Sequence, residues 1–159
     1  MDEAGFLAFF ERTQGSLRAW LLRVTSDDRP LVEDILQESY LRLLTSRGRT
    51  LEPEQARPYL FRIAGNLLRD HWRKQRRIEA WEEVDVEQIG QSDPADVTAA
   101  ERMLRRLPPR QRALLWLAYV EGFDHREIGR MLDLKHGSVR VLLSRARHRL
   151  AELLGGDQP

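Results

Sequence analysis

Ser144 and His148 lie four residues apart, the spacing at which a helix brings an imidazole beside a hydroxyl. Nothing in the sequence supplies the third member of a nucleophilic centre or an oxyanion site. The four histidines, His71, His125, His136 and His148, have no metal-ligand spacing with one another, and there is no cysteine. Asp34 and Glu38 pair two carboxylates one turn apart, with no histidine nearby. Together with Gln37 and Leu41 they suit a surface that meets another protein better than acid–base chemistry. No glycine-rich phosphate loop is present. The expectation is therefore a protein without catalytic residues, metal site or cofactor.

The polar residues that do form a pattern are cations. Arg62, Asn66, Arg69, Arg73 and Arg76 follow steps of 4, 3, 4 and 3, which puts them on one helical face. Lys74 and Arg77 add charge beside it. An asparagine amide among guanidinia can hold a base edge while its neighbours hold phosphates. Tyr59, Phe61 and Trp72 are near enough to stack on unpaired bases, although core packing is the commoner use of such a Trp72. A second cationic helix offers Ser138, Arg140, Val141, Ser144, Arg145 and His148 on adjacent rows, while Leu142, Leu143, Ala146 and Leu150 supply a packing side.

Both faces need helices to carry them. Phe6, Phe9, Phe10, Thr13, Leu17, Trp20, Leu21 and Val24 form one stripe at helical period. Asp27, Asp28 and Pro30 stop it and start a second helix, whose stripe is Leu31, Val32, Ile35, Leu36, Ser39, Tyr40, Leu43 and Leu44. Residues 46–57 read as a loop, and 58–77 as a third helix. Further on, helices are expected over 94–107, 109–121, 124–132 and 138–154. Pro108-Pro109 and Gly122 break the chain between them, and Asp124 with Glu127 forms a capping box. A short capped helix, a turn of about four residues and a longer cationic helix make a helix-turn-helix, whose second helix enters the DNA major groove. No period-two pattern occurs, so the fold class is all-α.

Charge divides the 159-residue chain, whose net charge of +1 conceals blocks of opposite sign. Residues 69–77 sum to +4, 78–101 to −8, 102–112 to +5 and 135–149 to +5. The acidic stretch, with its Gly90 to Pro94 turn residues, reads as a linker over 79–97 between small helical domains at 1–78 and 98–159. The longest apolar run, Ala113 to Val120, has eight residues, against the roughly 20 that span a bilayer. Met1-Asp2-Glu3 lacks the basic start of a signal peptide, and the absence of cysteine suits a reducing compartment. A cytoplasmic protein with no membrane insertion is expected.

Four runs in order carry a resemblance. They are Glu33 to Leu44 (EDILQESYLRLL), Arg57 to Arg77 (RPYLFRIAGNLLRDHWRKQRR), Leu104 to Leu132 (LRRLPPRQRALLWLAYVEGFDHREIGRML) and Gly137 to Leu150 (GSVRVLLSRARHRL). With the acidic stretch between the second and third, the chain resembles the extracytoplasmic-function type of bacterial sigma factor over roughly residues 5–78 and 98–154. The resemblance implies core RNA polymerase as a partner, met by Asp34, Gln37, Glu38 and Leu41. It implies that the 46–57 loop and the third helix read the minus-ten element as a melted non-template strand, with Arg62, Asn66, Arg69, Asp70, Arg73 and Lys74 as contacts. The helix-turn-helix would bind the minus-thirty-five element as duplex through Ser138, Arg140, Val141, Ser144 and Arg145. The linker would thread toward the RNA exit path, and an anti-sigma protein would cover the polymerase-binding surfaces.

The sequence departs from the family at several positions. Asp133 and Lys135 stand where glycine and a hydroxyl cap are common, His125 where an aromatic is common, and the recognition helix reads Arg140-Val141-Leu142. Arg47, Arg49 and Glu52 make the 46–57 loop unusual. Two alternatives stay open from the residues alone. One is a stand-alone helix-turn-helix repressor, which needs a dimer interface. The other is a sigma-like decoy, which would lose its basic helix faces.

Overall fold

The computed structural model describes residues 1–75, Trp81 and residues 98–155. Every regular element among them is helical. The elements are α1 (Glu3–Thr25), α2 (Arg29–Thr45), a 3-10 turn (Arg47–Thr50), α3 (Pro53–Lys74), α4 (Ala99–Arg105), α5 (Pro109–Leu115), α6 (His125–Leu132) and α7 (His136–Gly155). α5 runs on into a π-helical turn, Trp116–Val120.

Local chemistry sets most boundaries. The Asp2 carboxylate accepts from the Gly5 amide at 2.7 Å and opens α1. Ser26 and Asp27 both turn left-handed, with φ of 56° and 66°, and close it. Asp28 caps α2, with Pro30 in its first turn. Asp124 accepts from the Glu127 amide at 2.8 Å, and the Glu127 carboxylate accepts back from the Asp124 amide at 3.4 Å, completing the expected capping box. Gly122, at φ 75°, separates the π turn from α6.

Three boundaries differ from expectation. α3 begins at Pro53 rather than near 58, so the expected loop is only the 3-10 turn and its flanks. Pro58 sits inside the helix, where its missing N–H leaves only the carbonyl of exposed Glu54 without a helical donor. α4 starts at Ala99 because the Thr98 hydroxyl caps it, accepting from the Glu101 amide at 3.2 Å. α7 starts two residues before Ser138. The expected linker lies outside the described residues except for Trp81, which is buried against Trp72 with ring centroids 5.1 Å apart.

α1, α2 and α3 pack on one another, with Trp20 and Phe61 fully buried and 5.5 Å apart at their crossing. α5, α6 and α7 share a second set of contacts, in which Leu114, Leu117, Ile128, Met131, Val139 and Leu143 are buried. Each such apolar side chain contributes about 1.5–3 kcal/mol relative to exposure. The two sets are not separate: α6 lies along α3, and α4 and α5 lie against α1. Replacing Asp124 by Ala removes the helix's side-chain cap and is expected to cost about 1 kcal/mol, read as a lower urea midpoint. An unchanged midpoint would mean that α6 is held by packing alone.

Candidate nucleic-acid interface

The amphipathic period of α3 buries Leu60, Ile63, Ala64, Leu68 and Trp72 and turns Arg62, Asp70, Arg73 and Lys74 to solvent. Arg73 lies 3.5 Å from Asp70. Asn66 is half-buried. Arg69, expected at the same exposed face, is only 9% exposed. Its guanidinium donates to the Asn66 side-chain oxygen and lies 3.4 Å from the Asp133 carboxylate at the end of α6. Helical spacing correctly puts Arg69 beside Asn66, but period alone does not reveal that another element covers it. Arg76 and Arg77 lie outside the described residues. Of the candidate stacking rings, Phe61 and Trp72 are in the core, and Tyr59 is half-buried with its hydroxyl donating to Ser46 Oγ at 3.4 Å.

Beside α3 a cleft of about 410 Å³ opens between the 3-10 turn and α6. Arg47, Leu51, Tyr59 and Arg62 line it on one side, Glu127 and Arg130 on the other. Three guanidinia, a phenol and the carboxylates of Glu54 and Glu127 line it, a mixed set that suits a base edge. Burial, followed by the neighbouring Asp124 carboxylate, raises the pKa of Glu127.

α7 stands on Val139, Leu143, Ala146 and Leu153, which point into the core. Gly129 lets the turn before it close, because a Cβ there would meet the Leu134 carbonyl at 3.0 Å. Asp133 adopts the left-handed conformation, φ 53°, in the place of the usual glycine, and asparagine and aspartate tolerate that region best after glycine. On the outer face Arg140, Val141 and Arg145 are exposed, and Ser138 and Ser144 are half-buried. Neither Arg140 nor Arg145 has an ion-pair partner among the described residues, so both charges are available to an anion. Arg147 instead donates to the Tyr119 hydroxyl at 2.8 Å. Ser144 and His148 make no hydrogen bond to each other among the described residues.

On α2, Asp34 and Gln37 are exposed, Glu38 pairs with Arg42 at 2.9 Å, and Leu41 is 53% exposed. Asp34 and Glu38 edge a cleft of about 450 Å³ with Asp28, Leu31, Leu67 and His71. Leu41 and Leu44 edge another, of about 580 Å³, against Phe6 and Leu7. The four expected contact residues thus share one side of α2, acidic at one end and apolar at the other. Glu33 faces away and takes the Arg18 guanidinium at 2.8 Å, which holds its carboxyl below the usual range.

Sequence patterning missed the residues that join the two halves of the chain. Arg57 pairs with Glu121 at 2.5 Å and lies over the Phe123 ring, 4.3 Å from its centroid, while Phe123 meets Phe61 edge to face at 5.1 Å. Arg112 is 2% exposed and donates to the Arg23 carbonyl at 2.8 Å and to Ser26 Oγ at 2.6 Å, satisfying the end of α1 from α5. Burial, with Arg105 nearby, pushes its pKa down to about 10. Arg23 pairs with Glu101 at 2.8 Å, and Arg105 with Asp27. One signal was available: Gly65, alone in the middle of a helical pattern, marks a close approach.

Residues 9–78 match the family model of sigma-70 region 2, and residues 98–150 that of sigma-70 region 4. RNA polymerase sigma factor CarQ of Myxococcus xanthus is 31% identical over 156 residues, covering 94% of this chain and 89% of the relative. ECF RNA polymerase sigma factor SigE of Mycolicibacterium smegmatis is 35% identical over 136 residues, covering 77% of this chain and 51% of the relative. ECF RNA polymerase sigma factor SigM of Mycobacterium tuberculosis is 30% identical, covering 97% and 79%. The fold is similar to that of the sigma factor RpoE in complex with the anti-sigma factor NepR from Bartonella quintana, with a TM-score of 0.70 and 24% identity over 96% of this chain and 98% of that one.

The exposed guanidinia of α7 set an expectation for duplex DNA. Replacing Arg140 and Arg145 together by Ala should weaken duplex binding and flatten the log–log salt dependence by about 0.9 for each phosphate that is no longer neutralised. Anisotropy titrations across salt concentrations read both quantities. An unchanged slope and affinity would mean that α7 does not face the duplex.

Proposed function

This chain belongs to the sigma-70 family of RNA polymerase sigma factors, of the ECF type, and we propose how its surfaces divide that work. The chain binds core RNA polymerase and directs promoter recognition, melting and initiation. The division runs through a polymerase and minus-ten unit over 1–78, a connecting segment over 79–97 and a minus-thirty-five unit over 98–159. Asp34, Gln37, Glu38 and Leu41 dock on core polymerase. Arg62, Asn66, Arg69, Asp70, Arg73 and Lys74 take the melted non-template strand, with the cleft at Arg47 and Tyr59 accepting a flipped base. Ser138, Arg140, Val141, Ser144 and Arg145 anchor the upstream element as duplex. The acidic connecting segment follows the channel that nascent RNA later uses.

The observation that carries this division is the placement of two separate cationic helix faces, α3 and α7, on a chain whose α2 presents an acidic and apolar surface instead. Melted DNA needs stacking and charge, and upstream duplex needs major-groove contact. Neither face is large, so promoter affinity comes mainly from joint tethering to polymerase, which raises the effective concentration of each. Retention of basic character on both faces argues against a decoy, and an α2 docking surface has no use in a stand-alone repressor.

Proteins of this family are regulatory and generally non-catalytic, and this one acts in the cytoplasm with no reaction of its own. No helix among the described residues is long and apolar enough to cross a membrane. An anti-sigma protein is its expected antagonist, covering α2 and the apolar groove at Leu41. The direct test is affinity for core RNA polymerase. The purified chain should bind at submicromolar concentration, and a variant with Asp34→Arg and Leu41→Arg, folded by circular dichroism, should lose that binding. Equal binding by both would remove α2 from the polymerase contact.

A further inference from the structure

The cleft beside α3 has a floor that is fixed before anything enters it. Gly48 in the 3-10 turn lies so close to Tyr59 that a Cβ there would meet the ring at 2.9 Å. The Tyr59 hydroxyl donates to Ser46 Oγ at 3.4 Å, and the same oxygen accepts from the Gly48 amide at 3.1 Å. The ring is therefore held at one edge and at its tip, beside the apolar side chains of Leu51 and Pro58. Around this floor stand Arg47, Glu54 and Arg62, all exposed. None of these three side chains has a hydrogen bond or ion pair among the described residues. The whole set falls between residues 46 and 62, so it is complete on the N-terminal wall of the cleft. A carboxylate only accepts and a guanidinium only donates. An aromatic floor with both at its rim is the complement of a planar ring that has donors on one edge and acceptors on another.

We propose that this cleft selects guanine, with Glu54 as the specificity-determining residue. This rests on the reading of the cleft as the seat of a flipped base, and adds which base it takes. Guanine carries two neighbouring donors, N1–H and the N2 amine, which one carboxylate accepts together. On its other edge O6 and N7 are neighbouring acceptors, which one guanidinium fills as a fork. No other base offers a carboxylate two adjacent donors. Adenine and cytosine each have one amine with a ring-nitrogen acceptor next to it, and thymine has one N–H between two carbonyls. A carboxylate also accepts the cytosine amine, but through one contact rather than two. Arg47 and Arg62 supply the fork, and Tyr59 the stacking face. A carboxylate that loses water without gaining donors costs binding, so wrong bases are rejected as well as guanine retained.

The test uses holoenzyme assembled from the full chain and core RNA polymerase. Anisotropy is read with labelled thymine-rich single strands that differ at one central position, which holds guanine, hypoxanthine, adenine, cytosine or thymine. Binding by core alone is subtracted. The guanine strand is expected to bind about tenfold tighter than the adenine and thymine strands. Hypoxanthine, which is guanine without the N2 amine, falls between. Glu54→Gln changes an exposed side chain, and its amide pairs with the adenine edge instead, so preference moves from guanine to adenine. A merely structural role for Glu54 would not exchange one base for another. Equal binding of all strands overturns the proposal, as does a guanine preference that survives Glu54→Gln. Tyr59→Leu, which keeps an apolar side chain against Gly48, then separates the causes. If this folded variant weakens every strand alike, the cleft still receives a base and only the choice of guanine is rejected. If it weakens none, the reading of the cleft as the seat of a base falls too. Displacement of the guanine strand by micromolar guanosine monophosphate would assign the cleft to a free nucleotide and likewise overturn the proposal.

Discussion

Between α3 and α6 there is no space for a side chain at Gly65, because the Met131 carbonyl occupies the volume that a Cβ would take. That constraint determines how the two halves of the chain meet. It brings the C-terminal end of α6 over Asn66 and Arg69 and puts Asp133 in reach of a guanidinium. It also lets Phe123 approach Phe61, and Arg57 settle between Phe123 and Glu121. A glycine in a helix interior costs about 1 kcal/mol relative to alanine, so its position here is one that the tertiary contact has to offset. Arg112 plays the matching part at the other contact, where its guanidinium satisfies the last turn of α1 from within α5.

Two kinds of adhesion hold the molecule. Within each half, helices meet through fully buried aliphatic and aromatic side chains such as Leu17, Trp20, Leu60, Leu114 and Ile128. Between the halves, buried apolar contacts such as Phe61 on Phe123 are joined by guanidinia, through Arg23, Arg57, Arg69, Arg105 and Arg112. Apolar burial is insensitive to charge screening and to partner charge. Arginine contacts are not, and planar guanidinia exchange readily between carboxylates and phosphates.

Much of this was legible in the sequence where the cause is local. The Asp124 and Glu127 box, the Pro108-Pro109 break, Gly122, and the stripes of α1 and α2 are short-range chemistry, and the helices stand close to where those signals put them. The start of α3 was misplaced because Pro58 looks like a first-turn proline, while Pro53 is the one that opens the helix. The polar face of α7 was legible because nothing among the described residues covers Arg140 or Arg145. Arg69 was legible only by phase. Its ion-pair partner is Asp133, 64 residues later in sequence, and no periodicity reports such a pairing. Arg57, Arg112 and Glu121 escaped notice for the same reason: a charged residue on a helix reads as solvated until the element opposite is known.

The most direct measurement of the central claim is initiation itself. The purified chain is added to core RNA polymerase with its own genomic DNA as template, and the 5′ ends of the transcripts are sequenced. Discrete start sites absent with core alone are expected, each preceded by shared sequence blocks near minus ten and minus thirty-five. Start sites scattered as they are with core alone, in a preparation where the chain is bound to polymerase, would contradict the claim.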